Sequence, residues 1–263
     1  MDMKSYTNIL FEVSEGVGKI SLNRTSVLNS FNFEMADDVI DALTICKNDP
    51  TIRCIILTAE GRGFCAGQDL EEATKEGGPK IEEIVDHTYN PIINLIRGIE
   101  KPVLCAVNGV AAGAGANISL ACDITFAAES ANFIQSFNNI GLVPDSGGTY
   151  TLPRLVGMQR ATAMMFMANK VSATEAQSLG MIYKVVADDQ LQSEVFDMAK
   201  VLALRPTKGI GLTKRLLNES YNNTLEQQLA MERELQAVAG QTYDNKEGIQ
   251  AFFEKRKPVY KGM

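Results

Sequence analysis

Asp145 is a carboxylate within a short run of turn-forming residues. It follows Pro144 and precedes Ser146 and Gly147, in a run of residues typical of a tight turn. A positioned carboxylate can take a proton from one atom and return it to another. Considered alone, however, the run indicates a turn in which Asp145 is structural, so its chemistry depends on what surrounds it.

A Gly-x-Cys-x-Gly run at residues 63–67 has the form of a cysteine nucleophile elbow. That elbow requires an acidic residue and then a histidine much later in the chain. The one histidine is His87, only 22 residues on and among the acidic residues of a predicted helix. We therefore interpret Cys65 as a small apolar residue and expect no histidine-dependent catalysis.

Two further motifs are rejected because their structural context is wrong or their pattern is incomplete. Residues 145–148 resemble the serine segment of trypsin-like proteases, and His87, Asp123 and Ser146 stand in the order of that triad. Those proteases are all-β and usually disulfide-bonded, whereas this chain alternates strands and helices. The glycines of residues 113–115 come too late for a dinucleotide-binding fingerprint, and neither a third glycine nor an acidic residue about 20 positions downstream completes it.

Two turns built from small residues remain, each directly after a predicted buried strand. They occupy residues 64–69 and 108–117. Small side chains leave backbone N–H groups accessible, and a helix N-terminus adds a positive partial charge. Two N–H groups directed at one point form an oxyanion hole, which stabilises an enolate or a tetrahedral anion. The alternative is close packing of a helix on a strand, and each turn alone favours that structural explanation.

The elements that position these residues alternate between strand and helix, which predicts an α/β fold with right-handed crossovers. A hairpin is predicted around residues 15–18, and apolar spacing predicts a helix over residues 33–46. Continuous apolar runs predict strands that are covered on both faces. The predicted strands are residues 8–13, 19–22, 54–57, 103–107, 124–127 and 182–186, and further helices are residues 81–99, a segment including 118–121, and 172–180.

The last part of the chain changes character and becomes helical. After residue 186 the pattern predicts four helical segments with no strand between them. We predict two regions, a core over residues 1–200 and a helical region over residues 201–263. The predicted interruptions of the helical segments are Pro206, Tyr221 and Gly240.

Charge and cysteine usage argue against several kinds of partner and site. The net charge is −7 and the pI is about 4.9, so nucleic acid and anionic membrane surfaces are not expected as partners. Five cysteines without a Cys-x-x-Cys pair predict neither a metal site nor a disulfide framework. The first residues lack the apolar core of a signal peptide. Residues 103–122 are uncharged, but their asparagines and glycines predict a strand, turn and helix rather than a membrane span. We expect a cytoplasmic protein.

The order and separation of the two turns resemble the crotonase (enoyl-CoA hydratase/isomerase) superfamily. The resemblance covers nearly the whole chain, and one departure is Thr25, where the family often has proline. The matching segments are residues 20–24, 28–30, 64–70, 101–123, 140–148, 152–157, 176–182 and 247–258.

The resemblance implies a spiral of repeated β-β-α units with a helical C-terminal region that builds homotrimers, often paired into hexamers. It also implies an acyl-CoA thioester as substrate, with the thioester oxygen between the N–H groups of Ala66 and Ala114. Lys255 and Lys257 are implied as cations for the phosphates of CoA. The implied nucleotide-binding positions are Arg24, Ser26, Val27, Leu28, Ala66, Gly67, Gln68, Asp69 and Leu70.

Acid–base positions separate the reactions within this superfamily. Its hydratases hold a water between two glutamates, and the matching positions here are Asn117 and Phe137, which with Gly113 are implied to line the substrate pocket. Its isomerases carry a carboxylate at the position of Asp145. Residues 141–149 look most like the phenylacetate-pathway isomerases that act on ring-epoxide CoA thioesters. The implied reaction is therefore an isomerisation in which one aspartate moves the proton.

Two alternatives stay open from the sequence. One is an enoyl-CoA hydratase in which Asp145 alone activates water, and the other is a non-catalytic CoA-thioester binding protein whose pocket Phe137 blocks. The isomerase hypothesis and both alternatives require no cofactor, because CoA is part of the substrate. The sequence does not identify the acyl group, and residues 71–80 could form a helix, a lid or a disordered segment.

Overall fold

The computed structural model describes residues 5–263 and opens with the predicted hairpin. Strand β1 (Ile9–Ser14) pairs antiparallel with β2 (Val17–Leu22), so that Ser14 lies opposite Val17. The turn between them consists of Glu15 and Gly16, which both have positive φ angles, of 50° and 77°. Two such residues are what a tight hairpin turn with right-handed strand twist requires.

A six-stranded sheet forms the centre of the fold and confirms the strands predicted from continuous apolar runs. Its order is β1-β2-β3-β5-β7-β10, and every pairing after the hairpin is parallel. Strands β3 and β5 are buried along their whole length, because helices cover both faces of the sheet. The later strands are β3 (Cys54–Ala59), β5 (Val103–Val107), β7 (Ile124–Ala128) and β10 (Lys184–Val186).

A second, smaller sheet lies where the sequence predicted only turns. Each of the strands β3, β5 and β7 continues after a short loop into a strand of this second sheet, which has the order β4-β6-β8-β9. Strand in one sheet, strand in the other and then helix is the repeated β-β-α unit that the resemblance implied. The short strands are β4 (Gly63–Cys65), β6 (Val110–Ala112), β8 (Asn132–Ile134) and β9 (Val171–Ser172).

The helices of the core confirm the predicted helical segments and lengthen some of them. Helix α1 (Phe33–Asn48) begins at Asn32, whose side chain accepts the N–H of Met35. The predicted helix over residues 81–99 contains a π-helical turn at Val85–Tyr89. The other core helices are α2 (Leu70–Thr74), α3 (Ile81–Ile84), α4 (Asn90–Gly98), α5 (Ala114–Ala121), α6 (Gly148–Val156), α7 (Met158–Met167) and α8 (Ala173–Ser178).

Four helices complete the chain, with breaks at the predicted positions. They are α9 (Leu191–Ala203), α10 (Thr207–Glu219), α11 (Leu225–Gly240) and α12 (Tyr243–Glu254). Helix α9 packs on β3 and β5, and the predicted region boundary at residue 200 falls inside it, so that boundary stays a prediction. Arg53 joins the sheet to the C-terminal region, since its guanidinium donates to the carbonyls of Arg205 and Tyr260 at 2.6 and 2.8 Å.

The uncharged stretch of residues 103–122 contains the predicted strand and helix, β5 and α5, and the short strand β6 lies within the predicted turn. Across residues 5–263, none of the helices has the length and apolar character needed to cross a membrane. All five cysteines are buried, and none of them is in a disulfide bond.

Candidate active site

The first small-residue turn is fixed by a long-range backbone pairing. Phe31 forms a parallel bridge with Gln68: the N–H of Phe31 donates to the carbonyl of Gly67, and the N–H of Asp69 donates to the carbonyl of Phe31, both at 2.8 Å. The N–H of Ala66 donates to the carbonyl of Leu28 at 3.0 Å. The prediction that Ala66 supplies an oxyanion donor is therefore wrong, because this amide already has an acceptor within the fold.

Two other amides at the turns are free to bind an anion. Gln68 is the bridged residue whose own N–H points away from Phe31, and Ala114 is the first residue of α5, where a helix leaves its N–H groups unsatisfied. Within the described residues 5–263, neither amide donates to a protein acceptor. The turns lie against each other, since a Cβ on Gly67 would be 3.8 Å from the Ala114 nitrogen. Gln68 and Ala114 are the pair that this geometry offers as an oxyanion hole.

Small residues are required at the second turn because three chain segments meet there. A Cβ on Gly115 would lie 2.6 Å from the Cβ of Cys65, so only glycine lets α5 begin this close to β4. Gly113 has a φ of 54°, and a Cβ there would lie 3.8 Å from the ring of Phe137. The structure thus places Gly113 beside Phe137, two of the positions that the resemblance implied for the substrate pocket.

Asp145 is joined to α5 through its main-chain carbonyl, which accepts a hydrogen bond from Asn117, one helical turn after Ala114. It is half-buried in the loop before α6, and burial raises the pKa of its carboxyl group above the ordinary value. The hydroxyl of Ser146 donates to its Oδ1 at 2.8 Å, which partly opposes that increase in pKa. A carboxyl group with a raised pKa holds a proton more readily, which suits a group that must accept a proton and return it.

Asn117, three residues after Ala114 on α5, is fully buried. Its Nδ2 donates to the main-chain carbonyl of Asp145 at 2.9 Å, and its Oδ1 accepts from Nε2 of Gln135 at 2.8 Å. Since both polar atoms are engaged by the protein, the side chain is not available to a substrate. The prediction that Asn117 lines the substrate pocket is wrong for this reason: it lies behind Asp145 instead.

A model of the family described as enoyl-CoA hydratase/isomerase matches residues 12–263, which is nearly the entire chain. The chain belongs to the enoyl-CoA hydratase/isomerase family. It is 45% identical over 257 residues to the 1,2-epoxyphenylacetyl-CoA isomerase of Escherichia coli, covering 97% of this chain and 98% of the other. It is 43% identical to a probable enoyl-CoA hydratase of Rhodobacter capsulatus, covering 98% and 99%.

Solved structures confirm the fold. The enoyl-CoA hydratase of Bacillus anthracis superposes with a TM-score of 0.91 at 34% identity, covering 98% of this chain and 100% of the other. The mixed α/β architecture with a helical C-terminal region is therefore the crotonase fold. Both isomerases and hydratases occur among these relatives, so family membership does not by itself select the reaction.

The loop that the family resemblance assigns to CoA is braced by an internal ion pair. Arg24 donates to Oδ2 of Asp69 at 2.9 Å and to the carbonyl of Ser30 at 2.6 Å. Asp69 also accepts the N–H of Glu71 and so caps α2. The guanidinium of Arg24 is thus paired within the fold and joins the loop to Asp69.

The outer side of this loop is exposed. Ser26, Val27 and Leu70 face solvent, while Leu28 adopts a left-handed conformation with a φ of 53° and directs the chain back into the fold. Lys255 is exposed at the end of α12, and among the described residues no hydrogen bond or ion pair joins it to residues 24–28 or 66–70. The sequence did not decide between helix, lid and disorder for residues 71–80. In the structure the first part of this segment belongs to the short helix α2.

Three contributors to the site were missed from the sequence. They are the backbone amide of Gln68, the buried Tyr89 and the buried Gln135. The hydroxyl of Tyr89 donates to Oε1 of Gln68 at 2.7 Å, and burial raises the pKa of this phenol well above its ordinary value. Pro91 could have indicated the π-helical turn that carries Tyr89, because a proline within an otherwise helical pattern marks a place where the backbone departs from the α-helix.

The motifs rejected from the sequence have structural explanations. Burial raises the pKa of the Cys65 thiol to about 12, which leaves it protonated and unreactive. His87 is exposed and lies 2.9 Å from Asp37, whereas Asp123 pairs with Lys214 at 2.8 Å, so no triad forms with Ser146. Within residues 5–263, no group of three or more potential ligands could hold a metal ion.

Proposed function

We propose that this protein is an acyl-CoA isomerase in which Asp145 is the single acid–base group. The observation that carries the proposal is a half-buried carboxylate whose main chain is hydrogen-bonded to the helix that supplies one of two unpaired backbone amides. The positions that match the hydratase glutamates hold a fully buried asparagine and a phenylalanine, and neither can activate water. One carboxylate is sufficient for a reaction that removes a proton from one carbon and returns it to another.

The reaction balances without an added reactant. Asp145 takes a proton from a carbon of the acyl chain, the C–H electron pair becomes part of an enolate, and the negative charge develops on the thioester oxygen. The N–H groups of Gln68 and Ala114 bind that oxygen, each contributing about 3 kcal/mol to its stabilisation. The resulting carboxylic acid then returns the proton to a different carbon. The scheme uses no cofactor, because CoA is part of the substrate.

The substrate class that we propose is an enoyl-CoA or arylacetyl-CoA thioester, including a ring epoxide of the latter. The 45% identity to a 1,2-epoxyphenylacetyl-CoA isomerase supports the ring epoxide. The ring of Phe137 beside Gly113 gives the pocket an aromatic wall, on which a planar acyl group can pack.

An enoyl-CoA hydratase is the second candidate, because a relative at 43% identity is named as a probable one. The local geometry argues against it. Asn117 is held by Asp145 and Gln135, and Phe137 is buried, so neither position that matches a hydratase glutamate supplies a second carboxylate to hold a water. Hydration by this chain would depend on Asp145 alone.

We also propose that the protein assembles as a homotrimer or a dimer of trimers and that a neighbouring copy completes the CoA site. Phe252 and Phe253 on α12 are 79% and 77% exposed, and a cleft of about 560 Å³ between the C-terminal helices is lined by both rings. Apolar side chains this exposed favour contact with a second protein surface. Lys255 and Lys257 stand beside them and would bring cations to the CoA phosphates of the neighbour.

The variant Asp145→Asn tests the isomerase proposal. It keeps the size and hydrogen-bonding shape of the side chain but removes the proton acceptor, so the isomerisation rate should fall by about 10²- to 10⁴-fold while CoA-thioester affinity changes little. Crotonyl-CoA, a 3-enoyl-CoA and the epoxide of phenylacetyl-CoA should each be assayed spectrophotometrically. Asp197→Asn, at an exposed carboxylate of α9, is the matched control.

Each alternative predicts a different result in this assay. Faster hydration of crotonyl-CoA than isomerisation of the other two compounds would favour the hydratase. Tight binding of all three thioesters without turnover would favour the non-catalytic binding protein. Wild-type turnover in Asp145→Asn would make Asp145 a turn residue only.

A further inference from the structure

Asn117 and Gln135 form a buried chain of amides that ends on the main chain of Asp145. Asn117 is fully buried and Gln135 is 3% exposed. Nε2 of Gln135 donates to Oδ1 of Asn117, whose Nδ2 donates to the carbonyl oxygen of Asp145. That carbonyl also accepts the N–H of Gly148 at 2.9 Å, so two donors hold it.

The direction of this chain is fixed by its last acceptor. The carbonyl of Asp145 can only accept, so Asn117 must present its NH₂ group there and its oxygen toward Gln135. Gln135 must in turn present its NH₂ group to Asn117, which leaves its Oε1 without a protein partner among the described residues.

Gly148 closes the arrangement from the other side. It is the first residue of α6, and a Cβ at this position would lie 2.5 Å from Cγ of Asn117. Only glycine at 148 lets the helix begin directly against the amide. The side chain of Asn117 is thus confined between its two hydrogen-bond partners and the start of α6.

The loop that carries Asp145 needs an external hold of this kind. Ser146 has a φ of 51°, a left-handed conformation that costs free energy for a residue with a side chain, and Gly147 follows with a φ of 69°. The segment between Asn139 and Val143 is exposed and offers little packing. The hydrogen bond from Asn117 is the contact that joins this loop directly to the helix bearing Ala114.

We infer that Asn117, oriented by Gln135, is a positioning residue that holds the carboxylate of Asp145 at a fixed place relative to the Ala114 amide. Asn117 and Ala114 are three residues apart on one face of α5. The hydrogen bond from Asn117 to Asp145 therefore fixes the position of Asp145 relative to the Ala114 amide. The inference rests on the proposed function, in which Asp145 transfers the proton. Asn117 matches the first of the two hydratase glutamates, and in this inference it acts by holding Asp145 and not by contacting the substrate.

A double-mutant cycle between Asn117 and Gly148 tests this inference. Asn117→Ala removes the hydrogen bond, and Gly148→Ala displaces the same amide by steric overlap. Each single variant should lower kcat for the best of the three thioesters by about 10- to 100-fold, with KM within about threefold of wild type, because the proton acceptor is misplaced while the CoA loop is intact. In Asn117→Ala with Gly148→Ala the overlap is gone, so the double variant should be no slower than the slower single variant.

Hydrogen exchange supplies a readout that does not depend on catalysis. The amide of Gly148 donates to the carbonyl held by Asn117, and its exchange rate should rise at least about tenfold in Asn117→Ala. Thr125→Val is the matched control. It removes a buried 2.7 Å hydrogen bond to the carbonyl of Ser119, also on α5, and should lower thermal stability without changing kcat.

The outcomes separate this inference from the proposed function. Wild-type kcat and wild-type Gly148 exchange in Asn117→Ala, multiplicative losses in the double variant, or an equal loss of kcat in Thr125→Val would each overturn the positioning role. Full activity of Asp145→Asn would instead overturn the proposed function, and the exchange of Gly148 would still report whether Asn117 holds the loop.

Discussion

The hydroxyl of Tyr89 donates a 2.7 Å hydrogen bond to Oε1 of Gln68, and so connects the π-helical turn of residues 85–89 with a residue whose backbone N–H is free for an anion. Tyr89 is itself held by an edge-on contact with Phe31, the residue that bridges Gln68 through the backbone. Side chain and main chain of Gln68 are therefore fixed by two neighbouring aromatic residues. A π-helical turn inserts an extra residue into a helix, and such turns often occur at functional sites. This one carries the hydroxyl that holds the side chain of Gln68.

Replacing Tyr89 with phenylalanine should loosen the amide of Gln68 while leaving the ring in place. Oε1 of Gln68 loses its donor, so we expect the free energy of unfolding to fall by about 1–2 kcal/mol. The isomerisation rate should fall about tenfold, since an oxyanion donor acts only when it is held in position. Urea denaturation and steady-state kinetics measure the two effects. Tyr183→Phe, at an exposed ring, is the control. Equal isomerisation rates in the two variants would show that Tyr89 does not contribute to the site.

Ala114→Pro should remove one oxyanion donor without removing the helix. Proline lacks an N–H group and is tolerated at the first position of a helix, which Ala114 occupies in α5. We expect kcat to fall by about 10²- to 10³-fold, because one amide of the pair is lost and the ring occupies its place. Circular dichroism should show unchanged helix content.

Leu225→Pro is the matched control for this substitution. Leu225 is the first residue of α11, exposed and distant in sequence from the site, and Thr224 before it has the extended conformation that precedes proline. This variant should retain full activity. Equal activity in Ala114→Pro would show that the Ala114 amide contributes nothing to the reaction.

Asp145→Asn should stabilise the fold at neutral pH. The pKa of Asp145 is raised by burial, so between its ordinary value near 3.8 and the raised value the folded chain binds more protons than the unfolded chain. Stability therefore falls as the pH rises through this range, and asparagine avoids that loss. We expect the difference in Tm between variant and wild type to be near zero at pH 3 and to become positive as the pH rises above the raised pKa. Calorimetry over this range measures it, and a variant less stable at all pH values would contradict the burial of a charge.

Phe252→Ser with Phe253→Ser should weaken assembly and leave the single chain folded. Both rings are exposed in the single chain, so their removal costs little core packing, whereas a neighbour that covers them would lose apolar contact. Light scattering after gel filtration should give a smaller mass than wild type, and CoA affinity should fall with it. Gln250→Ser on the same helix is the control. An unchanged mass together with unchanged CoA affinity would place the interface elsewhere.

The sequence predicted those parts of the fold in which the chain itself carries the pattern. Residues 54–57 and 103–107 are continuous apolar runs, and both lie in buried parallel strands. The breaks at Pro206 and Gly240 were predictable because each residue interrupts a helix by its own backbone chemistry. Short strands such as β4 and β6 were not, since three residues show no periodicity and are defined only by their partners.

The site was predictable at the level of segments and not of individual atoms. Small residues located both turns correctly, but which amide remains free depends on the pairing of Phe31 with Gln68, 37 positions apart in the chain. That pairing and the bond from Ala66 to Leu28 moved the donor by two residues. The burial of Asn117 likewise depends on Gln135 and Gly148, and the sequence does not place either of them beside α5.

Arg53 has a consequence for the synthesis of this protein. Its acceptors, the carbonyls of Arg205 and Tyr260, are 152 and 207 residues further along the chain. Folding on the ribosome proceeds from the N-terminus, so the sheet that carries Arg53 can form while its partners are still being made. The guanidinium of Arg53 therefore gains its second acceptor only after translation has passed residue 260.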